Sequence, residues 1–398
     1  MSNFTENILE QAIIDLFIKQ GYEYSFGPDL HRRTKDILFL DDLKSYLKNK
    51  YNNSLTDNEV QKIINEISFV SANPLFDGNR EIFNKINNGF SIYRDDSTLP
   101  NQFIELIDFK VFTNNKFRII NQYEIEDLEV RIPDILVFIN GIPVSIVEIK
   151  TAKNESVTIY DAWEQIHLRY KRGIPEALKY TFVSMITDGV NTKLGTIFTP
   201  YEFYYAWKKE EDISVEQEGI KSLVSAVNGF YRKHRFIEIL HDFITYPDKG
   251  TEQQYPIICR YPQYFATKKL LDSIRLNMKP QGDGKGGTYF AATGSGKTYT
   301  MLFLARKLVK TNSEEFKNPT VVIIVDRQDL DNQTTERFAS SKKYLNDSEN
   351  VRSIDSRTDL KETLSATQSG GVFITTVQKF AEDTGILSER TNIICISD

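Results

Sequence analysis

Apolar residues near the start of the chain repeat every four positions. Leu9, Ile13 and Phe17 form a stripe with Ala12 and Leu16 beside it, and Gly21 stands where a helix-ending glycine belongs. The spacing predicts a helix over residues 5–20, with Thr5 as its cap. Residues 22–100 are polar and Asn-rich, with helical periodicity at 41–50 and 58–68 and no assignable chemistry. The texture then changes to short apolar runs between turn residues. These predict strands at 103–106, 116–123, 134–139 and 144–150, and a further strand from Tyr180 to Thr187. A helix is predicted at 160–172, closed by Gly173 and Pro175, and another at 221–245. The stretch 246–258 is polar, with Pro247 and Pro256 inside it, and is expected to be a linker. Beyond it come a helix at 262–276, a Gly-rich connection at 281–287, and a strand–loop–helix unit over 288–310. Strands at 320–326, 372–376 and 392–397 alternate with helices. That alternation means a parallel sheet. The fold class expected is α/β in two domains, 1–245 and 259–398, joined by the linker.

The runs at 134–139 and 144–150 carry the first candidate chemistry. Both are apolar throughout except at one end, where Asp134 opens the first and Glu148 and Lys150 close the second. Asn140-Gly141 between them signals a hairpin, so the three charges lie at the end away from the turn. Glu148 and Lys150 share a face by the period of two. Asp134 joins them only if the loop has an odd number of residues or a bulge intervenes. Pro143, lacking an N–H, favours a three- or five-residue loop over a two-residue turn. Unpaired charges on strands buried on both faces are costly and call for a partner or an ion. Phosphodiester hydrolysis uses such a set: a divalent ion polarises the phosphate and activates water, and Mg²⁺ takes one or two carboxylates plus other oxygens. Asp134, Glu148 and the carbonyl of Ile149 are the candidate ligands, with Lys150 to orient water and offset developing charge. A plain Glu148–Lys150 salt bridge is the alternative. Glu10 on the first helix is a candidate for binding the metal through water. Gln165, on the helix after the hairpin, is a candidate supporting residue, whereas His167 and Tyr170 read as packing or surface residues.

The second candidate site is Ala291-Ala-Thr-Gly-Ser-Gly-Lys-Thr298, between an apolar stretch and an amphipathic helix. This is the context of a phosphate-binding loop. Thr293, Gly294, Ser295 and Gly296 form the turn whose N–H groups face phosphate at a helix N-terminus. Lys297 is expected on the β- and γ-phosphates and the Thr298 hydroxyl on Mg²⁺. Asn392-Ile-Ile-Cys-Ile-Ser-Asp398 is an apolar strand ending in an acid, the shape in which an Asp orients the nucleotide's Mg²⁺. No catalytic Glu follows Asp398, and no second lobe with arginine fingers is present, so the sequence reads as the front part of a longer motor protein.

Composition narrows the partners. Of 398 residues 40% are hydrophobic and 12% aromatic, as a chain with real cores requires, and the formal net charge is −6. A net acidic chain does not coat nucleic acid by bulk charge. Any DNA contact is expected from local patches such as the basic run from Tyr231 to Arg235, or the stretch 268–285. Cys259 and Cys395 are far apart and in no metal-type spacing, so a reducing, cytoplasmic setting is expected. No secretory leader is visible at the N-terminus and no run is apolar enough to span a bilayer.

Taken together, these motifs resemble the restriction (R) subunit of type I restriction-modification enzymes. The resemblance covers the hairpin from Arg131 to Lys150, Asn101-Gln-Phe upstream, and Thr187-Asp-Gly189 and Trp207 downstream. It continues with Arg260-Tyr-Pro-Gln263, the phosphate loop, Val325-Asp-Arg-Gln-Asp-Leu330 with Gln333, and Thr375-Thr-Val-Gln-Lys-Phe380. It implies a PD-(D/E)xK nuclease domain, a mixed sheet flanked by helices, followed by a partial RecA-like motor lobe. It implies Asp134, Glu148 and Lys150 as catalytic, Gln165 as supporting, and Arg260 and Gln263 as reading adenine. The family often shows Gln-x-x-x-Tyr where this chain has its tyrosine one position later, at Tyr170, which puts that residue's role in doubt. The implied cofactors are Mg²⁺ and ATP, with S-adenosylmethionine bound by partner subunits only. The implied partners are double-stranded DNA and the modification and specificity subunits. A free-standing nuclease–helicase, or an assembly module without activity of its own, are the competing readings.

Overall fold

A computed structural model describes residues 6–150, 158–211, 221–247, 255–292, 294–325, 338, 340–345, 351–379 and 386–397. The chain divides into two units, Met1–His241 and Asp242–Asp398, a boundary just ahead of the stretch expected as a linker. Inside the second unit Ile244–Thr245 pairs antiparallel with Ile257–Ile258, so part of that stretch is ordered as a ribbon.

The first unit is built on a six-stranded sheet: β1 (Glu23–Phe26), β2 (Phe117–Asn121), β3 (Ile135–Ile139), β4 (Ile142–Ile149), β5 (Val183–Thr187) and β6 (Thr192–Gly195), adjacent in chain order. The sheet is mixed. β1 runs parallel to β2 and β4 parallel to β5, and the other neighbours are antiparallel. Helix Glu6–Lys19 precedes β1 and buries Leu9, Ile13 and Phe17, the stripe read from the sequence; Gly21 follows at φ 81°, as a helix-ending glycine does. Thr5 lies outside the described residues.

Three helices occupy the polar region between β1 and β2: Leu40–Lys50, Asp57–Ser68 and Leu75–Asn88. The first two match the periodicity at 41–50 and 58–68. The third was not legible, because Gly78 sits near its start. A Cβ there would stand 2.0 Å from the Ser71 carbonyl oxygen, so glycine is required by a close backbone approach that pattern reading does not see.

The helix after the hairpin opens with a capping box, Thr158 with Asp161, and runs from Ile159 to Gly173. Its buried face, Ala162, Ile166, Tyr170 and Ile174, packs on Leu136, Phe138 and Ile146 of the hairpin. Each fully buried aliphatic or Phe side chain here contributes about 1.5–3 kcal/mol. The helix expected at 221–245 is broken. Lys221–Ser225 and a π-turn at Ala226–Phe230 are followed by Lys233–Asp242. This also removes one of the expected DNA patches. Tyr231 is fully buried and Arg235 is 4% exposed, its guanidinium donating to the Glu210 and Gly229 carbonyls, so that basic run holds the fold together.

The second unit carries a four-stranded parallel sheet: β7 (Thr320–Val325), β8 (Val351–Ser353), β9 (Val372–Thr376) and β10 (Ile393–Ser397), in the order β8-β9-β7-β10. Helices Tyr261–Asn277 and Lys297–Arg306 precede it. The strand expected at the start of 288–310 does not form. Among the described residues, 288–292 belong to no helix or strand ladder, and Phe290 is 92% exposed. Glycines at 284, 286 and 287 lead into this segment, with the Gly286 carbonyl accepting from the Ser273 hydroxyl.

Candidate active site

The hairpin solves the facing problem in its own way. Ile139 pairs with Ile142, so the turn is the two-residue Asn140-Gly141, both at positive φ (51° and 79°), as a type I′ turn requires. The expected wider loop is therefore wrong. The odd residue enters two positions later: Phe138 pairs with Pro143 but Val137 with Ser145, leaving Val144 as a β-bulge. Pro143 matters at that irregularity, where its missing N–H disrupts least. Beyond the bulge Ile135 pairs with Val147, which brings Asp134 opposite Glu148 on one face. Every residue of β3 and β4 is buried.

At that strand end the charges converge. Asp134 Oδ2 accepts from the Ile149 N–H at 2.7 Å. Lys150 Nζ donates to Glu148 Oε1 at 2.9 Å and to the Ile149 carbonyl at 3.0 Å. The Glu148–Lys150 salt bridge thus exists, but it leaves two carboxylates against one ammonium. Burial pushes the Asp134 carboxyl up to about 6, helped by the charges of Glu6 and Glu10 and opposed by the Ile149 N–H and Lys150. Burial, then Asp134, hold Glu148 well above the usual carboxylate range. Burial lowers Lys150, but Glu148 and Asp134 outweigh it and its pKa is raised.

This strain has a stability consequence. Asp134 binds its proton more tightly in the folded chain than the unfolded value of 3.8 allows, so that contribution is complete below 3.8 and lost as pH rises through about 6. Asp134→Asn has no such loss. With divalent metal chelated, the variant is expected to be more stable than the parent at about pH 7 by roughly 3 kcal/mol, the gap closing toward about pH 4. Denaturant unfolding at the two pH values measures it; equal stabilities at neutral pH would contradict the placement of the carboxylate.

Tyr170, expected to be packing or surface, is part of this cluster. Its hydroxyl donates to Glu148 Oε2 at 3.0 Å and accepts from Gln165 Nε2 at 2.7 Å. Tyr170 lies five positions after Gln165, which on an α-helix would point them apart. Residues Gln165–Tyr170 instead form a π-turn, and its i→i+5 register restores the pairing. The extra residue noticed in the spacing is absorbed there. His167 is buried and stacked on Trp163 at 4.3 Å, and burial lowers its pKa to about 3, so it packs as expected.

Glu10 reaches the same end of the sheet. Its carboxylate accepts from the Asn121 amide, and from Gln122 Nε2 at 3.3 Å, while the Gln122 N–H bonds the Asp134 carbonyl at 3.2 Å. Asn121 and Gln122 carried no signal in the sequence. Among the described residues no group of three or more His, Cys, Asp or Glu is arranged to hold a metal ion. Glu10 is therefore not a third direct donor beside Asp134 and Glu148. The two carboxylates and the Ile149 carbonyl are hard oxygen donors in the number Mg²⁺ takes from protein, and a divalent ion would supply the charge that Lys150 alone does not.

In the second unit the phosphate loop has the expected local geometry. Gly294 and Gly296 lie at φ 77° and 87°, and Gly296 caps helix Lys297–Arg306, placing Lys297 and Thr298 in its first turn. The Gly294 surroundings are open, with nothing within 4 Å of a Cβ built there. Ser295 Oγ is buried with no hydrogen-bond partner among the described residues. Gln263 ties the preceding helix to this loop. Its side chain accepts from the Arg260 N–H at 2.8 Å and donates to the Gly296 carbonyl at 3.3 Å. A Cβ on Gly296 would meet Gln263 Nε2 at 2.3 Å, a second reason for glycine. Thr293 and Asp398 lie outside the described residues.

Residues 3–203 match the family described as type I restriction enzyme R protein N terminus, and residues 262–398 match SWI2/SNF2 ATPase. The chain is 30% identical, over 99% of its own length, to the type I restriction enzyme HindI endonuclease subunit of Haemophilus influenzae, of which 38% is covered. It is 24% identical, over 96% of its length, to a type I restriction enzyme endonuclease subunit of Staphylococcus aureus, again covering 38%. It thus spans well under half the length of these relatives. Among the described residues no helix is long and apolar enough to cross a membrane.

Proposed function

The chain belongs to the family of type I restriction enzyme R proteins, and from that premise we propose that it is the part of the subunit that holds a PD-(D/E)xK DNA-cleaving site and the ATP loop of a RecA-like DNA translocase. One observation carries the nuclease half: the Val144 bulge sets Asp134 opposite Glu148, beside Lys150, at the end of a fully buried hairpin. Asp134, Glu148 and the Ile149 carbonyl would hold Mg²⁺, which when bound polarises the scissile phosphate and makes water a stronger nucleophile. Lys150 orients the attacking water and offsets charge building on the phosphate oxygens. Tyr170 fixes the Glu148 carboxylate, Gln165 fixes the Tyr170 hydroxyl, and Glu10 acts through water. Gly294, Gly296 and Lys297 would hold the nucleotide's phosphates, Thr298 and Asp398 would bind its Mg²⁺, and Arg260 and Gln263 would read adenine.

In the assembled enzyme, with modification and specificity subunits that bind S-adenosylmethionine, the protein pumps duplex DNA and cuts away from the recognition site. Tyr170 is a positioning residue, and its loss is read through the metal. Tyr170→Phe removes a donor that stabilises ionised Glu148. It is expected to raise the Mg²⁺ concentration for half-maximal plasmid cleavage about 10- to 100-fold and to move the cleavage profile to higher pH. Cleavage that needs no divalent ion at all would refute the proposed site.

A further inference from the structure

Beside the carboxylates lies a groove of about 610 Å³, lined among others by Arg131, Ile132, Gln165, Arg169, Tyr170 and Arg172. Tyr170 is the shared wall. It lines the groove and its hydroxyl bonds Glu148. Three guanidinium groups line the groove, and among the described residues no acid does. Glu129, just outside, pairs with Arg131 and Arg172, so the four side chains sum to three positive and one negative, a local +2 on a chain of net charge −6. Arg169 is exposed and has no ion-pair partner among the described residues. Arg169 and Arg172 are three apart on one helix, and like charges at that spacing repel. Arg131 comes from the short strand Val130–Arg131 to meet them, and its Nε is buried without a hydrogen-bond partner. A solvated basic face needs no such convergence from two elements.

We propose that this groove holds the sugar–phosphate backbone of the DNA strand entering the cleavage site, with Arg169 and Arg172 on successive phosphates and Arg131 behind them. A guanidinium presents two parallel N–H groups that match a phosphate. Such contacts set register and carry no base information. The proposal rests on the nuclease reading of Asp134 and Glu148.

The test uses the full-length protein in its assembled enzyme, following single-turnover plasmid cleavage and ATP hydrolysis together across a salt series. Arg169→Ala and Arg172→Ala are each expected to slow cleavage about tenfold or more at physiological salt, with ATP hydrolysis unchanged. The apparent DNA affinity of the cleavage step should lose about one unit of salt slope per arginine removed. Arg169→Lys should recover most of the rate and Arg169→Glu none. If Arg169→Glu cuts like the parent while Asp134→Ala does not cut, the groove assignment falls and the nuclease reading stands. If Asp134→Ala also cuts, the nuclease reading itself falls. If Arg169→Glu loses ATP hydrolysis or subunit assembly together with cleavage, the face is a protein interface and the proposal is overturned.

Discussion

Glu148→Gln is expected to abolish DNA cleavage by the assembled enzyme, by at least about a hundredfold, while ATP hydrolysis continues at the parental rate. The substitution keeps the shape and the hydrogen-bond acceptor that Tyr170 uses, so the fold has no reason to suffer. It removes one of the two buried carboxylates whose charge, among the described residues, Lys150 balances. Without that charge the divalent ion loses a ligand and Lys150 loses its 2.9 Å anchor. Relief of a buried charge should even stabilise the chain, as for Asp134→Asn. Lost activity without lost stability separates a catalytic group from a structural ion pair. Supercoiled plasmid linearisation, with phosphate release followed in parallel, measures both; undiminished cleavage would sink the nuclease assignment.

Lys297→Ala is expected to act in the opposite order. ATP hydrolysis should fall by roughly two orders of magnitude, because the loop loses the cation it presents to the β- and γ-phosphates. Cleavage that depends on translocation falls with it. Metal-dependent nicking that needs no translocation should survive, since the carboxylate cluster belongs to the other unit. The loop should otherwise be unaffected, because the Lys297 side chain takes no part in the Gly296 φ of 87° or in the 3.3 Å bond from Gln263 to the Gly296 carbonyl. A triplex-displacement assay reads translocation directly, and a variant that still translocates would refute the role given to Lys297.

Much of this was legible in advance. Short apolar runs marked the strands at 134–139 and 144–150, and Asn140-Gly141 marked their turn. The charged residues at the far end followed from the pairing alone. Alternating strands and helices beyond residue 258 indicated a parallel sheet, and β7, β9 and β10 form one. What failed did so for definite reasons. The strand expected before the phosphate loop pairs with no neighbour among the described residues, and a strand is a property of a pair. The basic run at 231–235 was read by charge, but Arg235 donates to internal carbonyls and Arg232 pairs with Glu211.

Two single-residue irregularities separate the sequence reading from the site. Periodicity showed that Asp134 and Glu148 sit at one end of a hairpin and that parity had to be corrected somewhere. Only tertiary pairing decided that a bulge at Val144, rather than a wider loop, makes the correction. Likewise the Gln165–Tyr170 spacing was visibly one residue too long, and only the π-turn decided that Gln165 still reaches the Tyr170 hydroxyl, which in turn bonds Glu148. The physical reason is common to both. Residue types and local period are set by chemistry along the chain, but one extra residue can be stored wherever packing against a neighbour makes its cost smallest. That neighbour is supplied by the fold.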